Sequence, residues 1–359
     1  AFLIKFGHLM IYSASSYKAQ IDYNGNAAYF MTRQGVIALV GFLVMIGISK
    51  LDYRWYAKFY KLAILVSWVL MIAVSLVGRQ VNGKRRWLGV GPLSFQPTEL
   101  VKITVIVSTA ALLVKLGRHV DRSAGIARVA MVVLPLAGIV AANNLSSGII
   151  IAGIGFVMMF VASRKKLWYF LVTAAGGLVI AFAPQIGNGL AAIHLLKPYQ
   201  LSRINVWKNP EAFADRGGYQ VLQGLYAIGS GGLFGKGLGE SIQKLGFVPE
   251  AQNDMIFSII CEELGLFGAI SLILVFMFMI YRFMVIASNA PDLFGSLLVV
   301  GVMAHIAIQV ILNIAVVTNT IPNTGITLPF ISYGGTSIIF LEAEMGMVLS
   351  VSNQIKLEK

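Results

Sequence analysis

The 359-residue chain is 57% hydrophobic and 12% charged, with a mean hydropathy of +0.79 and a formal net charge of +13. A soluble domain needs more polar surface, so the composition excludes one; the same apolarity argues against nucleic acid as the partner of the surplus bases. What remains is a polytopic membrane protein whose positive charge meets an anionic membrane surface or an anionic substrate.

A helix needs about 20 apolar residues to cross roughly 30 Å of hydrocarbon, and the Leu, Ile, Val, Gly and Ala runs suit helices rather than a barrel. Ten spans are expected, at about 2–15, 35–48, 62–77, 100–116, 129–142, 145–162, 167–183, 255–281, 294–316 and 336–351. The chain opens on Ala1 rather than Met, which leaves room for a missing N-terminal piece. No small-residue cleavage site follows the first run, so that run reads as a helix and not a signal peptide. The fifth and sixth spans meet at Asn143-Asn144-Leu145-Ser146-Ser147 and read as a helical hairpin or a re-entrant pair. The single Cys261 lies inside a span and excludes an intrachain disulfide.

Ten spans put both termini on one side. The Lys and Arg residues at 50–61, 115–128 and 164–166, with Arg282, Lys356 and Lys359, assign that side to the cytoplasm. Two outer loops break the bias. One, 79–99, holds Arg79, Lys84, Arg85 and Arg86; the other, 184–253, holds Lys197, Arg203, Lys208, Arg216, Lys236 and Lys244. These bases form either a solvated surface or an electropositive vestibule for a phosphate-bearing ligand.

In the first outer loop, Asn82-Gly83 signals a hairpin turn that would project Lys84-Arg85-Arg86-Trp87 over the membrane. Trp87 is an interface anchor or a surface for stacking a sugar ring. Pro97 suits the first turn of a helix, Thr98 its cap, and Glu99 and Lys102 share a helix face three residues apart. That pair is a structural ion pair or serves a substrate site. In the long loop, Lys197-Pro198-Tyr199-Gln200 begins a turn and a polar segment, and 219–228 has the apolar spacing of a helix on the membrane surface. Six glycines then crowd between Gly229 and Gly239. The phosphate-loop pattern fails, because Ser230 stands where its first glycine should and Gly237 follows Lys236. The segment is a flexible or tightly turned loop, or a cradle of amides for a diphosphate.

Asp254 sits where this loop meets the apolar run that starts at Met255. It is a helix N-cap, a general base whose pKa is raised by partial desolvation, or both. Glu250 lies four residues earlier on the loop side. Glu262 lies about 12 Å deeper at 1.5 Å per residue, which suits a buried polar network with Glu263. Residues 322–337 mix backbone breakers with hydroxyls, Ser332 among them, and could form a re-entrant turn lining a cavity. His305, Glu342 and Glu344 lie within spans, where a lone His is usually hydrogen-bonded structure. The sequence shows no Cys/His/Asp metal set, no Ser-His-Asp set and no nucleotide motif.

Taken together, these stretches resemble the SEDS (shape, elongation, division and sporulation) family, also called the FtsW/RodA/SpoVE family. The carriers are Arg86-Trp87, Gln96 through Lys102, Pro198-Tyr199-Gln200 with Arg203, Gly237-Leu238-Gly239 with Gln243-Lys244, Pro249-Glu250-Ala251 with Asp254 and Glu262-Glu263-Leu264-Gly265, and Asn323-Thr324-Gly325 through Ser332-Tyr333-Gly334-Gly335. Their wording is more like the division and sporulation branch than the elongation branch. The resemblance implies one all-α, ten-span membrane domain over 1–359, with a large structured extracytoplasmic loop, 184–253, between spans 7 and 8. It implies a peptidoglycan glycosyltransferase of the bacterial cell membrane, active on the extracytoplasmic face, that polymerises lipid II and releases undecaprenyl diphosphate. Implied partners are a class B penicillin-binding protein, other divisome proteins and membrane lipid, with no nucleic acid. Asp254 is the implied catalytic carboxylate; Arg86, Trp87, Glu99, Lys102, Arg203, Lys244, Glu250 and Ser332 are the substrate-binding candidates. No metal ligand is expected, and a divalent cation, Mg or Mn, is the cofactor left open. Two departures stand out. Many members carry an acidic residue at the start of span 6, where this chain reads Asn144-Leu145-Ser146, and the usual His-Thr before the catalytic Asp is Gln252-Asn253.

The leading rival is a flippase for the same lipid-linked precursor, since Glu99, Lys102, Glu262 and Glu344 would suit a transport path. Against it, no inverted repeat and no matched pair of broken helices is visible. A scaffold for synthases would explain the spans but not the basic outer loops.

Overall fold

The apolar runs satisfy most of their backbone polar groups within helices, Pro135 being carried inside one of them. The computed structural model describes residues 2–81, 84–90, 93–183, 185–187 and 198–356. Its helices are α1 (Phe2–Asp22), α2 (Tyr29–Lys50), α3 (Tyr56–Val77), α4 (Pro97–Leu116), α5 (Ser123–Asn143), α6 (Leu145–Ala162), α7 (Leu167–Ala181), α8 (Pro198–Lys208), α9 (Tyr219–Ser230), α10 (Ile256–Ser288), α11 (Leu293–Val317) and α12 (Ser337–Ser352). Among the described residues seven helices are long and apolar enough to cross a membrane: α2 to α6, α10 and α11. The chain is thus a mostly helical, multi-pass membrane protein. The other three expected spans are helices too, α1 with a polar second half, α7 with 15 residues and α12 with 16.

The fold is not purely α. Three strands, β1 (Arg79–Val81), β2 (Lys84–Val90) and β3 (Leu93–Phe95), form an antiparallel sheet in the order β1-β2-β3, with Val81 opposite Lys84 and Leu88 opposite Phe95. Gly78 ends α3 and Pro97 opens α4, so the residues between are free to extend and pair. The expected Asn82-Gly83 turn lies outside the described residues, as does Lys197. Thr98 is not the cap of α4: Gln96 holds that position, because Pro97 starts the helix one residue earlier than a Thr98 cap would allow.

The chain divides into two compact units. One comprises 34–165, 276–309 and 334–359. Here α3 packs on α4, α4 on α5 and α6, and α12 on α4. Buried Val105, Ile106, Leu136, Ile151 and Met158 form its interior. The fifth and sixth spans are a hairpin of full helices: α5 has 21 residues, α6 has 18, and the Asn144 side chain caps α6 through the Ser147 amide at 3.4 Å. Gly148 faces Ala141 and Gly155 faces Val133, so small residues let these helices approach closely.

The second unit comprises 1–33, 166–275 and 310–333. Within it α10 is broken at Gly265, whose φ of 67° and ψ of −167° are not helical. The glycine-rich segment after α9 fills the break. Amides of Lys236 and Gly237 donate to the carbonyls of Glu262 and Glu263 at 3.0 Å each. In return, amides of Leu266 and Phe267 donate to the carbonyls of Gly232 and Leu233 at 2.9 and 3.0 Å. A Cβ at Gly235 would fall on the Glu263 carbonyl, and one at Gly265 on the Gly235 amide, so both positions demand glycine.

Candidate active site

Asp254 closes a tight series of turns that precedes α10, two residues before the helix begins. Its surroundings in the second unit are built by three tethers. Asn313 Nδ2 donates to the Asp254 carbonyl at 2.8 Å and to the Ile326 carbonyl at 2.6 Å. The Tyr333 amide donates to the Gln252 carbonyl at 2.9 Å. Gln220 Nε2 donates to the Pro249 carbonyl at 3.3 Å and its Oε1 accepts from Asn323 at 3.0 Å. The segment carrying Asp254 is thereby fixed to the 323–333 segment and to α9. Gly325, at φ 68°, lies against the carboxylate: a Cβ there would meet Asp254 Oδ2 at 3.6 Å.

The Asp254 side chain is 9% exposed. Burial pushes its carboxyl from 3.8 up to about 7; the nearby Glu250 charge adds to the rise, while the residue's own amide and the Arg203 charge pull it down. A carboxyl at about 7 exchanges protons near neutrality, as a general base requires. Six carboxylates are buried among the described residues: Glu99, Asp254, Glu262, Glu263, Glu342 and Glu344. Four have a basic partner, Lys102, Lys236, Lys244 and His305 respectively for Glu99, Glu262, Glu263 and Glu344. Asp254 and Glu342 have none among the described residues, and of these two only Asp254 stands at a loop.

The remaining candidates separate by what they touch. Glu250, exposed and at φ 54°, pairs with Lys18 at 3.4 Å and accepts from Asn253. Arg203 is exposed on α8, near enough to Asp254 for its charge to act there. Ser332 is buried and its Oγ accepts from the Leu328 amide at 2.7 Å, so it shapes the 323–333 segment. Lys244 is occupied: its ammonium donates to Glu263 Oε1 at 2.8 Å, Ser13 Oγ at 2.9 Å and the Gly239 carbonyl at 2.6 Å. These three partners match the three donors of an ammonium, so in this structure Lys244 fastens the glycine-rich segment to α10 and α1. The amides of Gly235, Lys236 and Gly237 are likewise spent on protein carbonyls, so this part of the glycine-rich segment is tightly turned.

In the other unit, Glu99 and Lys102 form a buried pair at 2.9 Å. Lys102 Nζ also lies 3.1 Å from His305 Nε2, and His305 Nδ1 lies 2.8 Å from Glu344. His305 Nε2 also lies 2.9 Å from Gln309 Oε1, so Lys102, Gln309, His305 and Glu344 form one buried polar chain. Arg86 Nε donates to the Asn143 carbonyl at 3.2 Å, at the end of α5. Arg85 donates to the Ser75 carbonyl at 3.2 Å and to that of Leu76, in the last turn of α3. These two bases therefore cap helix C-termini, where carbonyls lack partners and the dipole is negative. Trp87 sits opposite Arg79 in the sheet, part exposed. Sequence reasoning missed Asn313 and the His305–Glu344 pair. A signal existed: His305, Gln309 and Asn313 recur every four residues in an otherwise apolar helix. Among the described residues no three His, Cys, Asp or Glu side chains converge as a metal site.

The family described as cell cycle protein, FtsW/RodA/SpoVE, matches residues 1–357. Stage V sporulation protein E of Bacillus subtilis (strain 168) is 37% identical over 354 residues, 98% of this chain and 94% of that one. The probable peptidoglycan glycosyltransferase FtsW of the same organism is 35% identical over 358 residues, 99% and 89% of the two chains. Among solved structures, a chain from a peptidoglycan synthase complex that coordinates polymerization and crosslinking superimposes with a TM-score of 0.79 at 27% identity, covering 99% of this chain and 97% of that one. The rod shape determining protein RodA of Thermus thermophilus gives 0.70 at 25%, covering 100% and 95%.

Proposed function

The chain belongs to the FtsW/RodA/SpoVE family, and from that premise we propose that it is a peptidoglycan glycosyltransferase polymerising lipid II, with Asp254 as its catalytic base. The observation that carries the reading is a buried carboxyl at the mouth of a membrane helix, without a cation partner among the described residues and raised to about 7. In the reaction Asp254 accepts the proton of the acceptor sugar's hydroxyl. That oxygen bonds to the anomeric carbon of the donor, the bond to the diphosphate oxygen breaks, and undecaprenyl diphosphate departs with its electron pair. Negative charge grows on the leaving group, where a cation stabilises it most. Exposed Arg203 is the suited side chain, with Glu250 tuning the base and Ser332 holding the loop beside it.

The topology that serves this chemistry is ten spans in a single domain over 1–359, both termini in the cytoplasm, and the 184–253 loop carrying Asp254's surroundings on the extracytoplasmic face. A class B penicillin-binding protein and other divisome proteins are the partners proposed, in division or sporulation. The second reading, a lipid II flippase, is favoured by the buried Glu99–Lys102–His305–Glu344 chain, since ionisable groups inside a membrane often mark transport paths.

Purified lipid II, with and without the penicillin-binding partner, tests both. Glycan strands from the wild type and none from an equally folded Asp254→Asn variant are expected. Equal strands from both would remove Asp254 from the chemistry; none from either, partner included, would favour transport.

A further inference from the structure

The segment from Gly232 to Phe247 has its polarity inverted for a water-exposed loop. Its basic and hydroxyl groups Lys236, Ser241 and Lys244 turn inward. Lys236 Nζ and Ser241 Oγ donate to Glu262 at 2.7 and 2.5 Å, and Glu262 is fully buried. The amides of Ile242 and Gln243 donate to the same carboxylate at 3.2 and 3.3 Å. Its apolar side chains turn outward: Leu233, Phe234, Leu238, Ile242, Leu245 and Phe247 are all exposed, Phe234 to 81%.

The backbone matches this arrangement. Amides of Gly235, Lys236, Gly237, Glu240, Leu245 and Val248 donate to carbonyls of the chain, and that of Lys244 to Ser241 Oγ. With Ile242 and Gln243, eight of the sixteen amides of 232–247 are paired within the protein, which lowers the cost of leaving water, since in hydrocarbon each orphan amide costs several kcal/mol. Position agrees as well. Leu233 and Phe234 lie beside the break of α10, paired to Leu266 and Phe267, and Phe267 is 70% exposed on a helix long and apolar enough to cross a membrane. The outward stripe of the segment thus continues the lipid-facing stripe of α10. Glu240 and Glu250 are exposed at its other end, which sets a shallow limit.

We infer that residues 232–247 are seated in the bilayer as a lipid-facing apron, with Phe234 deepest and Glu240 at the headgroups. The occupant of the exposed apolar face is lipid hydrocarbon. The inference rests on the membrane assignment and not on the glycosyltransferase chemistry.

The test uses the full chain in phosphatidylethanolamine/phosphatidylglycerol vesicles. In a Cys261→Ala background, nitroxides are attached at Phe234→Cys, Glu240→Cys, Phe267→Cys and, as a water reference, Glu211→Cys on the exposed turn after α8. Collisions with oxygen and with a water-soluble nickel chelate are compared. The Phe234 site should match the Phe267 site, with an oxygen-to-nickel ratio several-fold above the Glu211 site, and the Glu240 site should fall between. A Phe234 ratio equal to that of Glu211 would overturn the inference. The unsubstituted chain, irradiated in vesicles doped with a lipid bearing a diazirine on its acyl chain, gives an independent reading. Adducts within 233–247 are expected; adducts on 266–274 with none on 233–247 would overturn it and leave this face to a protein partner.

Discussion

In the proposed reaction ionised Asp254 is the form that takes a proton, so its titration should appear in the rate. With the carboxyl at about 7, roughly a tenth is ionised at pH 6 and about nine-tenths at pH 8, so kcat/KM should rise about tenfold across that interval. A carboxyl left at 3.8 would give a flat profile there. The same shift has a stability consequence with a definite sign. The unfolded chain loses this proton near 3.8, while the folded chain keeps it until about 7. Folding is therefore most favoured below 3.8, loses stability as pH rises from 3.8 to 7, and levels off above. About 3 units at about 1.4 kcal/mol each put the loss on the order of 4 kcal/mol. Asp254→Asn cannot ionise and escapes it. Its melting temperature in detergent, relative to wild type, should be higher at pH 8 than at pH 4.5. A flat rate profile, together with a melting difference independent of pH, would refute the claim that burial holds this carboxyl near neutrality.

Glu250→Gln removes a negative charge that raises the Asp254 pKa, so the acid limb of the rate profile should move to lower pH; no movement in the profile would deny the coupling. Glu262→Gln leaves Lys236 without its anion. It should cost toward the low end of about 3–5 kcal/mol, because Lys236 is part exposed and can turn to water; thermal melts read the loss. Asn313→Ala strands the carbonyls of Asp254 and Ile326, a loss of about 2–4 kcal/mol, and turnover should fall with the tether. Glu342→Gln, altering the other buried carboxyl without a basic partner among the described residues, should leave lipid II polymerisation within a few-fold of wild type; a loss matching that of Asp254→Asn would show that position at a loop is not what selects the base.

The spans were legible because an apolar run of the right length has few alternatives in lipid. So was the place of Asp254, at the boundary between a polar loop and such a run. The sheet at 79–95 was less so, since three strands of three to seven residues carry little periodic signal. For Arg85 and Arg86 the sequence counts charge, on a solvated surface or in a vestibule, and does not reveal the helix carbonyls they meet. The contacts of Lys244 were hidden for a related reason. Its partner Glu263 is near in sequence, but Ser13 is 231 residues away, and that contact exists only after folding. The glycines told of tight backbone and could not tell where the amides would go. Only the broken α10 supplies those acceptors.

The pairing of buried charges gives the site its logic. A buried carboxylate with a cation partner is stabilised as an ion and held in one geometry, which suits structure and poorly suits proton exchange. Glu262 and Glu263 carry such partners, and both serve to fasten the glycine-rich segment to α10. Asp254 stands just before the same helix and is managed in the opposite way. Its carbonyl is tied down by Asn313, while its carboxylate is left against Gly325, without an ion-pair partner among the described residues. Arg203 acts on it only at a distance. Neutralising Asp254 with a close lysine would return its pKa toward that of an ordinary carboxylate and remove the base. The backbone is fixed and the charge is left unmatched, and this is the combination that acid–base work at neutral pH needs.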